Sequence, residues 1–248
     1  MSNPYRLNQI YASLLKNGSI SVNQLAQEYQ VTPTTIRRDL ILLEEKGMIA
    51  RTRGSAYLRE APVTADLFLE EKKRIAKEAS RFVDNHMSLI LDSGTTVEAL
   101  VCELMNDSSL TSLNIVTHSL TTALKASKRF LVSMPGGAVL NEYESLVGPY
   151  VDRFFEEINA DVAFLGSTGI QDCDGLTVSY PLQISAKKKE VGAAKKKIAL
   201  LDSSKFLRRG IYEFCSFSDI DVLITVETKQ NKEQIDRIRK TGIRIILV

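Results

Sequence analysis

No uninterrupted apolar run in these 248 residues approaches the ~20 that a bilayer crossing needs, so no membrane span is expected. The first residues, Met1-Ser2-Asn3-Pro4-Tyr5-Arg6, carry no apolar core of a secretory signal. Cysteine is scarce: Cys102, Cys173 and Cys215 are odd in number and far apart, which speaks against both a disulfide framework and a zinc site. The only two histidines, His86 and His118, fall in no metal-ligand spacing. No metal and no cofactor are therefore expected, and these five side chains read as ordinary residues of a cytoplasmic protein. Internal repeats and low-complexity tracts are also missing. What remains is 44% hydrophobic and 25% charged, the composition of a soluble chain with one small and one medium domain.

The first sixty residues are the most explicit. Leu7, Ile10 and Leu14 share one face of a helix starting near Pro4. Ser21 caps a second helix that turns Val22, Leu25, Ala26 and Tyr29 inward. After a short connection at 30–32, Thr32 is a helix cap and Pro33 suits the first helical position, where its missing N–H costs nothing. Ile36, Leu40 and Leu43 recur at i, i+4 and i+7, which leaves Thr34, Thr35, Arg37 and Arg38 for the other half of the third helix. Hydroxyls and guanidinium forks there suit phosphates and guanine edges. This is helix-turn-helix spacing. Beyond Gly47, two short extended runs flank a Gly54-Ser55 turn with Arg51 and Arg53 near its tip, the pattern of a wing. Up to Tyr57 there are seven Lys/Arg against four Asp/Glu, a net of +3, whereas the whole chain is +2. The positive excess is concentrated where a phosphate-binding surface needs it.

Ala61-Pro62-Val63-Thr64 reads as a hinge, and a charged helix follows it. Short apolar runs then alternate with helical patterns. Strands are expected at 88–91, 113–116, 130–133, 162–165, 198–201, 222–226 and 243–247. Helices are expected near 97–105, 120–127, 151–158, 184–194 and 232–241. Such alternation implies a largely parallel sheet covered by helices on both faces, hence an α/β fold. The runs Lys187, Lys188, Lys189 and Lys195, Lys196, Lys197 read most simply as solvated helix turns, with an anion-binding lysine among them as the alternative. The junction Asp92-Ser93-Gly94-Thr95-Thr96 leaves a strand and enters a helix, so N–H groups, hydroxyls and the helix dipole can converge on an anion. Met134-Pro135-Gly136-Gly137, Gly166-Ser167-Thr168-Gly169 and Asp202-Ser203-Ser204-Lys205 follow later strands at equivalent places, where ligands of open α/β sheets sit.

The helix-turn-helix with Thr-x-x-Arg-Arg-Asp-Leu (Thr34 to Leu40), the Leu43, Glu44 and Gly47 stretch, and the wing together resemble the DeoR family of bacterial transcriptional regulators. The resemblance continues through Asp92 to Thr96, Gly136-Gly137, Leu146 to Pro149, Phe164 to Gly166 with Gly169-Ile170, Gly175 to Thr177, and Asp202 to Phe206. It implies domains at 1–60 (winged helix-turn-helix), 61–75 (linker and start of a helix) and 76–248 (a sugar-phosphate sensor). The implied sensor is an α/β domain similar to sugar-phosphate isomerases and deaminases. By the same resemblance Ser93, Gly94, Thr95 and Thr96 would hold a phosphate beside Asp92, while Gly136, Gly137, Gly166, Gly169 and Lys205 would line the rest of the site. This chain departs from the family at the wing, where Arg53-Gly54-Ser55-Ala56 stands for His-Gly-Gly-Ala. It departs again at Leu182-Gln183, where an acidic residue often precedes a lysine-bearing helix, and at Leu207, commonly glycine.

The function expected is a sequence-specific repressor of carbohydrate-metabolism genes. It would bind a double-stranded operator as a dimer or tetramer and answer to a phosphorylated sugar as inducer or co-repressor, with no catalysis. Two alternatives stand beside it: a sugar-phosphate isomerase or deaminase with a DNA-binding appendage, and a DNA-binding protein whose second domain is purely structural. Isomerisation needs a positioned base, and Asp92 and Asp202 flank the candidate site.

Overall fold

The computed structural model describes residues 4–45, 49–52, 54–58, 68–170 and 172–248. These fall into two units, Met1–Leu69 and Glu70–Val248. The expected hinge at 61–64, Gly47 and Arg53 lie outside the described residues.

In the first unit α1 (Pro4–Asn17), β1 (Ser19–Ser21), α2 (Val22–Glu28), α3 (Pro33–Glu45), β2 (Ile49–Arg51) and β3 (Ser55–Leu58) succeed one another. Ser21 closes a capping box: its hydroxyl accepts from the Gln24 N–H and the Gln24 side chain accepts from the Ser21 N–H. Ile10, Leu14, Leu25, Ile36, Leu40 and Leu43 are all but fully buried, so the helical stripes meet in one small core. Tyr29 is only half-buried, its hydroxyl 3.2 Å from that of Ser13. The strands form an antiparallel sheet in the order β1-β3-β2, and Gly54 takes φ +137° in the turn between β2 and β3. Among the described residues the unit thus has the three helices and the antiparallel strands of a winged helix.

The second unit begins with α4 (Leu69–Ser80), then β4 (Ser88–Leu91), α5 (Thr95–Asn106), β5 (Asn114–Val116), α6 (Leu120–Ala126) and β6 (Leu131–Ser133). A hairpin of β7 (Ala138–Leu140) and β8 (Ser145–Val147) leads to α7 (Pro149–Glu156) and β9 (Ala160–Leu165). After β10 (Gly175–Val178) come α8 (Leu182–Gly192), β11 (Ala194–Leu201), β12 (Tyr212–Ser216), β13 (Val222–Thr225), α9 (Lys232–Arg239) and β14 (Arg244–Leu247). Seven strands make one wholly parallel sheet in the order β14-β13-β11-β9-β4-β5-β6, one for each strand expected from the sequence.

Strand alternation divides the core in two. Ile90, Ala163, Leu165, Ala199, Leu201 and Leu223 join Val151, Phe155, Ala186, Ile235 and Ile238 on one face. Leu89, Leu91, Val162, Phe164, Ile198, Leu200 and Ile224 join Ile75, Ala76, Val97, Leu100 and Leu104 on the other. The antiparallel pairs β7–β8 and β10–β12 have no counterpart in the sequence reading. They are short and lie between glycines, so no periodicity marks them.

Both lysine runs need correction. Lys195, Lys196 and Lys197 are in β11, because pairing with β9 starts at Ala194 opposite Ala160 and carries the strand back past its apolar part. Lys187 is buried within α8 at 3% exposure, not solvated.

Candidate functional site

On the first unit α3 presents Thr34, Arg37 and Arg38 to solvent. Thr35 is half-buried. Its N–H donates to Thr32 Oγ1 at 3.3 Å and the two hydroxyls are 3.0 Å apart, so Thr35 is partly committed to the helix start. Asp39, the third member of Arg-Arg-Asp, turns inward and accepts Arg6 Nε at 2.5 Å. That ion pair ties α1 to α3, while the two arginines stay exposed. Arg51 is engaged with Glu44, Nε to Oε2 at 2.7 Å, so its charge is shared before any phosphate approaches. Arg37, Arg51, Thr52, Gly54 and Ser55 line a cleft of about 230 Å³ between α3 and the wing. Ile41, one turn beyond Arg37, is 38% exposed and adds an apolar side chain that the sequence reading did not single out. Its only signal is an isoleucine out of register with Ile36, Leu40 and Leu43.

In the second unit the chain runs β4, β5, β6 toward one edge of the sheet, then restarts with β9 beside β4 and runs to the other edge. The strand order reverses between β4 and β9, and open α/β sheets bind ligands outside the carboxyl ends at such a point. Asp92 ends β4 and Gly166 follows β9. The Gly166 N–H donates to Asp92 Oδ2 at 2.8 Å, and the Ser93 N–H to Oδ1 at 2.6 Å. Asp92 thus fixes both loops, and its backbone partners are spent on it. Gly94, at φ +130°, starts α5 with no side-chain cap, and a β-carbon there would meet nothing within 4 Å. The N–H groups of the first turn of α5 therefore face the crevice without an internal acceptor. Ser93 and Thr96 are buried and Thr95 half-buried.

The glycines divide. A β-carbon at Gly166 would meet Ser93 O at 3.0 Å, which places this glycine beside the loop that enters α5. Gly169 is pressed against the Arg208 carbonyl and Gly137 against Val147 and Val151, so both serve close packing. Gly136 is open.

Behind Asp92 lies a buried network with no signature in the sequence. Lys187 Nζ donates to Asp92 Oδ2, His118 Nδ1 is 2.6 Å from Glu190 Oε1, and His118 Nε2 is 4.0 Å from Asp92 Oδ1. All four side chains are at most 4% exposed. Burial opposes ionisation of Asp92, but Lys187, His118 and the Gly166 N–H outweigh it and hold the carboxyl below its ordinary value. Burial disfavours the charged imidazole too, yet Glu190 and Asp92 raise His118 overall. Burial raises Glu190. Ligand atoms of Asp92, His118 and Glu190 lie within 4.8 Å of one another, a grouping able to hold a metal ion. The Lys187 ammonium already supplies the positive charge there.

Across the crevice Asp202 caps the 3₁₀ turn Ser203–Leu207, accepting from the Ser204 N–H at 3.1 Å and the Ser204 hydroxyl. Desolvation and the nearby Arg208 bring the half-buried Lys205 ammonium down to about 7. Lys72, in the first turn of α4, is 1% exposed; burial lowers it, with Asp202, Arg208, Glu98 and Glu71 as its charged neighbours. Leu182 and Gln183 lie within the first turn of α8, not before it as expected. Leu182 is exposed, while Gln183 is buried with its Oε1 unbonded. Among the described residues no helix is long and apolar enough to cross a membrane.

A winged helix-turn-helix followed by a doubly covered parallel sheet, with an uncapped helix start at its switch point, is the arrangement of a DNA-binding protein with a second, sensor-type domain. Two family models agree: the DeoR-like helix-turn-helix domain matches residues 6–61 and the DeoR C terminal sensor domain residues 68–227. The chain belongs to the DeoR family of transcriptional regulators. It is 33% identical to the HTH-type transcriptional regulator GolR of Listeria innocua serovar 6a, covering 97% of this chain and 96% of that one. It is 30% identical to the glycerol-3-phosphate regulon repressor of Escherichia coli K12 (91% of each), and 29% to the HTH-type transcriptional repressor GlcR of Bacillus subtilis 168 (98% and 95%). A solved ribose 5-phosphate isomerase A from Methanocaldococcus jannaschii aligns over 54% of this chain and 52% of its own at TM-score 0.39 and 18% identity.

Proposed function

We propose that this protein represses carbohydrate-metabolism genes and that a phosphorylated sugar, bound at Ser93-Gly94-Thr95-Thr96 with Lys205 across the crevice, controls its grip on the operator. The reading rests on one observation: the sheet reverses between β4 and β9, and at that point α5 starts without a side-chain cap, just after Asp92, which Lys187 holds. The names of the relatives, a glycerol-3-phosphate regulon repressor among them, favour the same class of effector. In this reading a dimer or tetramer engages repeated half-sites, with Arg37 and Arg38 reading base edges and the wing, including Arg51 and Arg53, resting on the backbone. Effector and operator are then linked through a coupling free energy, which is reciprocal whichever its sign.

The isomerase reading fares worse because both of its candidate bases serve the fold. Asp92 holds two N–H groups and Lys187, and Asp202 is fully buried, with one oxygen capping the Ser203–Leu207 turn through Ser204. The deciding experiment has three arms: melting of the full chain with glycerol 3-phosphate, glucose 6-phosphate, fructose 1-phosphate and ribose 5-phosphate; operator gel shifts with the same compounds; and assays for their turnover. A rise in melting temperature with a change in operator affinity and no turnover is expected. Turnover, or no stabilisation by any phosphate ester, would sink the proposal.

A further inference from the structure

We propose that Gln183, in the first turn of α8, accepts a hydrogen bond from a hydroxyl group of the bound ester, so that the sensor selects a polyhydroxylated carbon skeleton and not phosphate alone. This rests on the effector reading above and goes beyond it.

α8 turns one polar stripe inward. Gln183, Lys187 and Glu190 stand at i, i+4 and i+7, and each is at most 3% exposed. Two of the three are matched: Lys187 donates to Asp92, and Glu190 lies 2.6 Å from His118. Gln183 is not, for its Oε1 is buried without a hydrogen bond. It is also the outermost of the three. The chain leaves β9 at the carboxyl edge of the sheet, and α8 ends just before β11 begins at the other edge. The start of α8 therefore lies at the carboxyl edge, with Gln183 one turn beyond Lys187. Two further contacts put this end on the crevice. Lys187 is close enough to Lys205 for its charge to be felt there. The Gln183 N–H donates to Tyr180 O at 3.1 Å, the Tyr180 and Tyr143 rings are 6.3 Å apart, and the Tyr143 hydroxyl feels the charge of Arg208.

The unused atoms decide the class of ligand. Gln183 Oε1 and Asp202 Oδ2 need a donor and Arg208 Nε needs an acceptor; all three are buried without a hydrogen bond. A phosphate dianion only accepts, so it can answer Arg208 and neither of the others. A hydroxyl group both donates and accepts, so a skeleton that carries several can answer all three. A buried acceptor left without a donor is costly, which is how a site built for a hydroxyl rejects a ligand that lacks it.

The test measures binding to the full chain by calorimetry. The probes are inorganic phosphate, glycerol 3-phosphate, glucose 6-phosphate, fructose 1-phosphate and ribose 5-phosphate, then the monodeoxy analogues of the tightest ester. Gln183→Met keeps the length of the side chain and removes its hydrogen-bonding atoms. Ser185→Ala, at an exposed position of α8, is the control. Wild type and Ser185→Ala should prefer one ester to inorganic phosphate by at least tenfold, and Gln183→Met should bind that ester at least tenfold more weakly. One monodeoxy analogue should bind wild type as weakly, and the substitution should weaken that analogue no further, because the contact is already gone. A cooperative melt of Gln183→Met without ligand certifies its fold. If that melt fails, Gln183→Asn, polar but one methylene shorter, takes its place. Three results overturn the inference and leave the effector reading standing: wild-type affinity in the variant, equal binding of phosphate and ester by wild type, or a variant that weakens every analogue by the same factor as its parent. If wild type binds none of the esters, the effector reading fails and takes this inference with it.

Discussion

Arg38 is exposed on α3 while its neighbours Asp39 and Leu40 are buried, so its loss removes no core contact. Arg38→Ala should therefore melt like wild type and bind operator about 1–3 kcal/mol more weakly, the cost of a lost bidentate base contact. A gel-shift titration with unchanged affinity would assign reading to another surface. Arg6 has the opposite character. It is the partner of a carboxylate that is 1% exposed, and Arg6→Met leaves Asp39 buried and charged. Breaking such a pair costs about 3 kcal/mol, so urea unfolding of the first unit should shift markedly while the exposed arginines stay untouched. Lys205 adds a pH dependence. Its ammonium is brought down to about 7, and an anion bound beside it would raise that value. Below 7 the group is charged with or without ligand. Above 7 binding has to take up a proton, and affinity for a phosphate ester should fall by up to tenfold per pH unit. Ester phosphates are dianions above about 6, so a flat calorimetric profile from about pH 7 to 9 would remove Lys205 from the site.

At the scale of elements, α8 is stapled to the loop between β4 and α5 by a buried ion pair. Lys187 reaches from the middle of the helix to Asp92, which in turn holds the loops after β4 and β9. Lys187→Met should cost about 3–5 kcal/mol in denaturant unfolding, because it strands a fully buried carboxylate. Adding Asp92→Asn removes the stranded charge while keeping an acceptor, and the pair should recover much of that loss. Additive losses would mean that the two residues act independently. The same reasoning bears on Gly94. Its φ of +130° disfavours any β-carbon whatever the free space, so substitution there reshapes the loop and does not simply block a ligand.

At the scale of the molecule, the two units have separate cores, one built on the three-helix stripes and one on the two faces of the sheet. Calorimetry should resolve two unfolding transitions. A phosphate ester at about a hundredfold its dissociation constant should stabilise only the sensor transition, by about 2.7 kcal/mol, and operator DNA only the other. With both present, each should weaken the other if the effector induces. A single transition that both ligands move alike would contradict independent units.

The sequence by itself determined the helix-turn-helix, the seven parallel strands and the helices between them. These rest on local periodicity: Ile36, Leu40 and Leu43 can face a core only as a helix, and β4, β9 and β11 are buried on both faces and so read as apolar runs. The loop from Ser93 to Thr96 was legible for the same reason, since strand, glycine and helix start are consecutive. Tertiary structure decided the rest. The strand order, and with it the reversal between β4 and β9, depends on which distant runs pair. Lys187 and Lys188 are adjacent in sequence, yet only one enters the core, because α8 packs against the sheet along one face. His118 meets Glu190 across 72 positions, and Lys187 meets Asp92 across 95. Charge neutralisation in a buried site is a matter of distance in space, and no spacing along the chain encodes it.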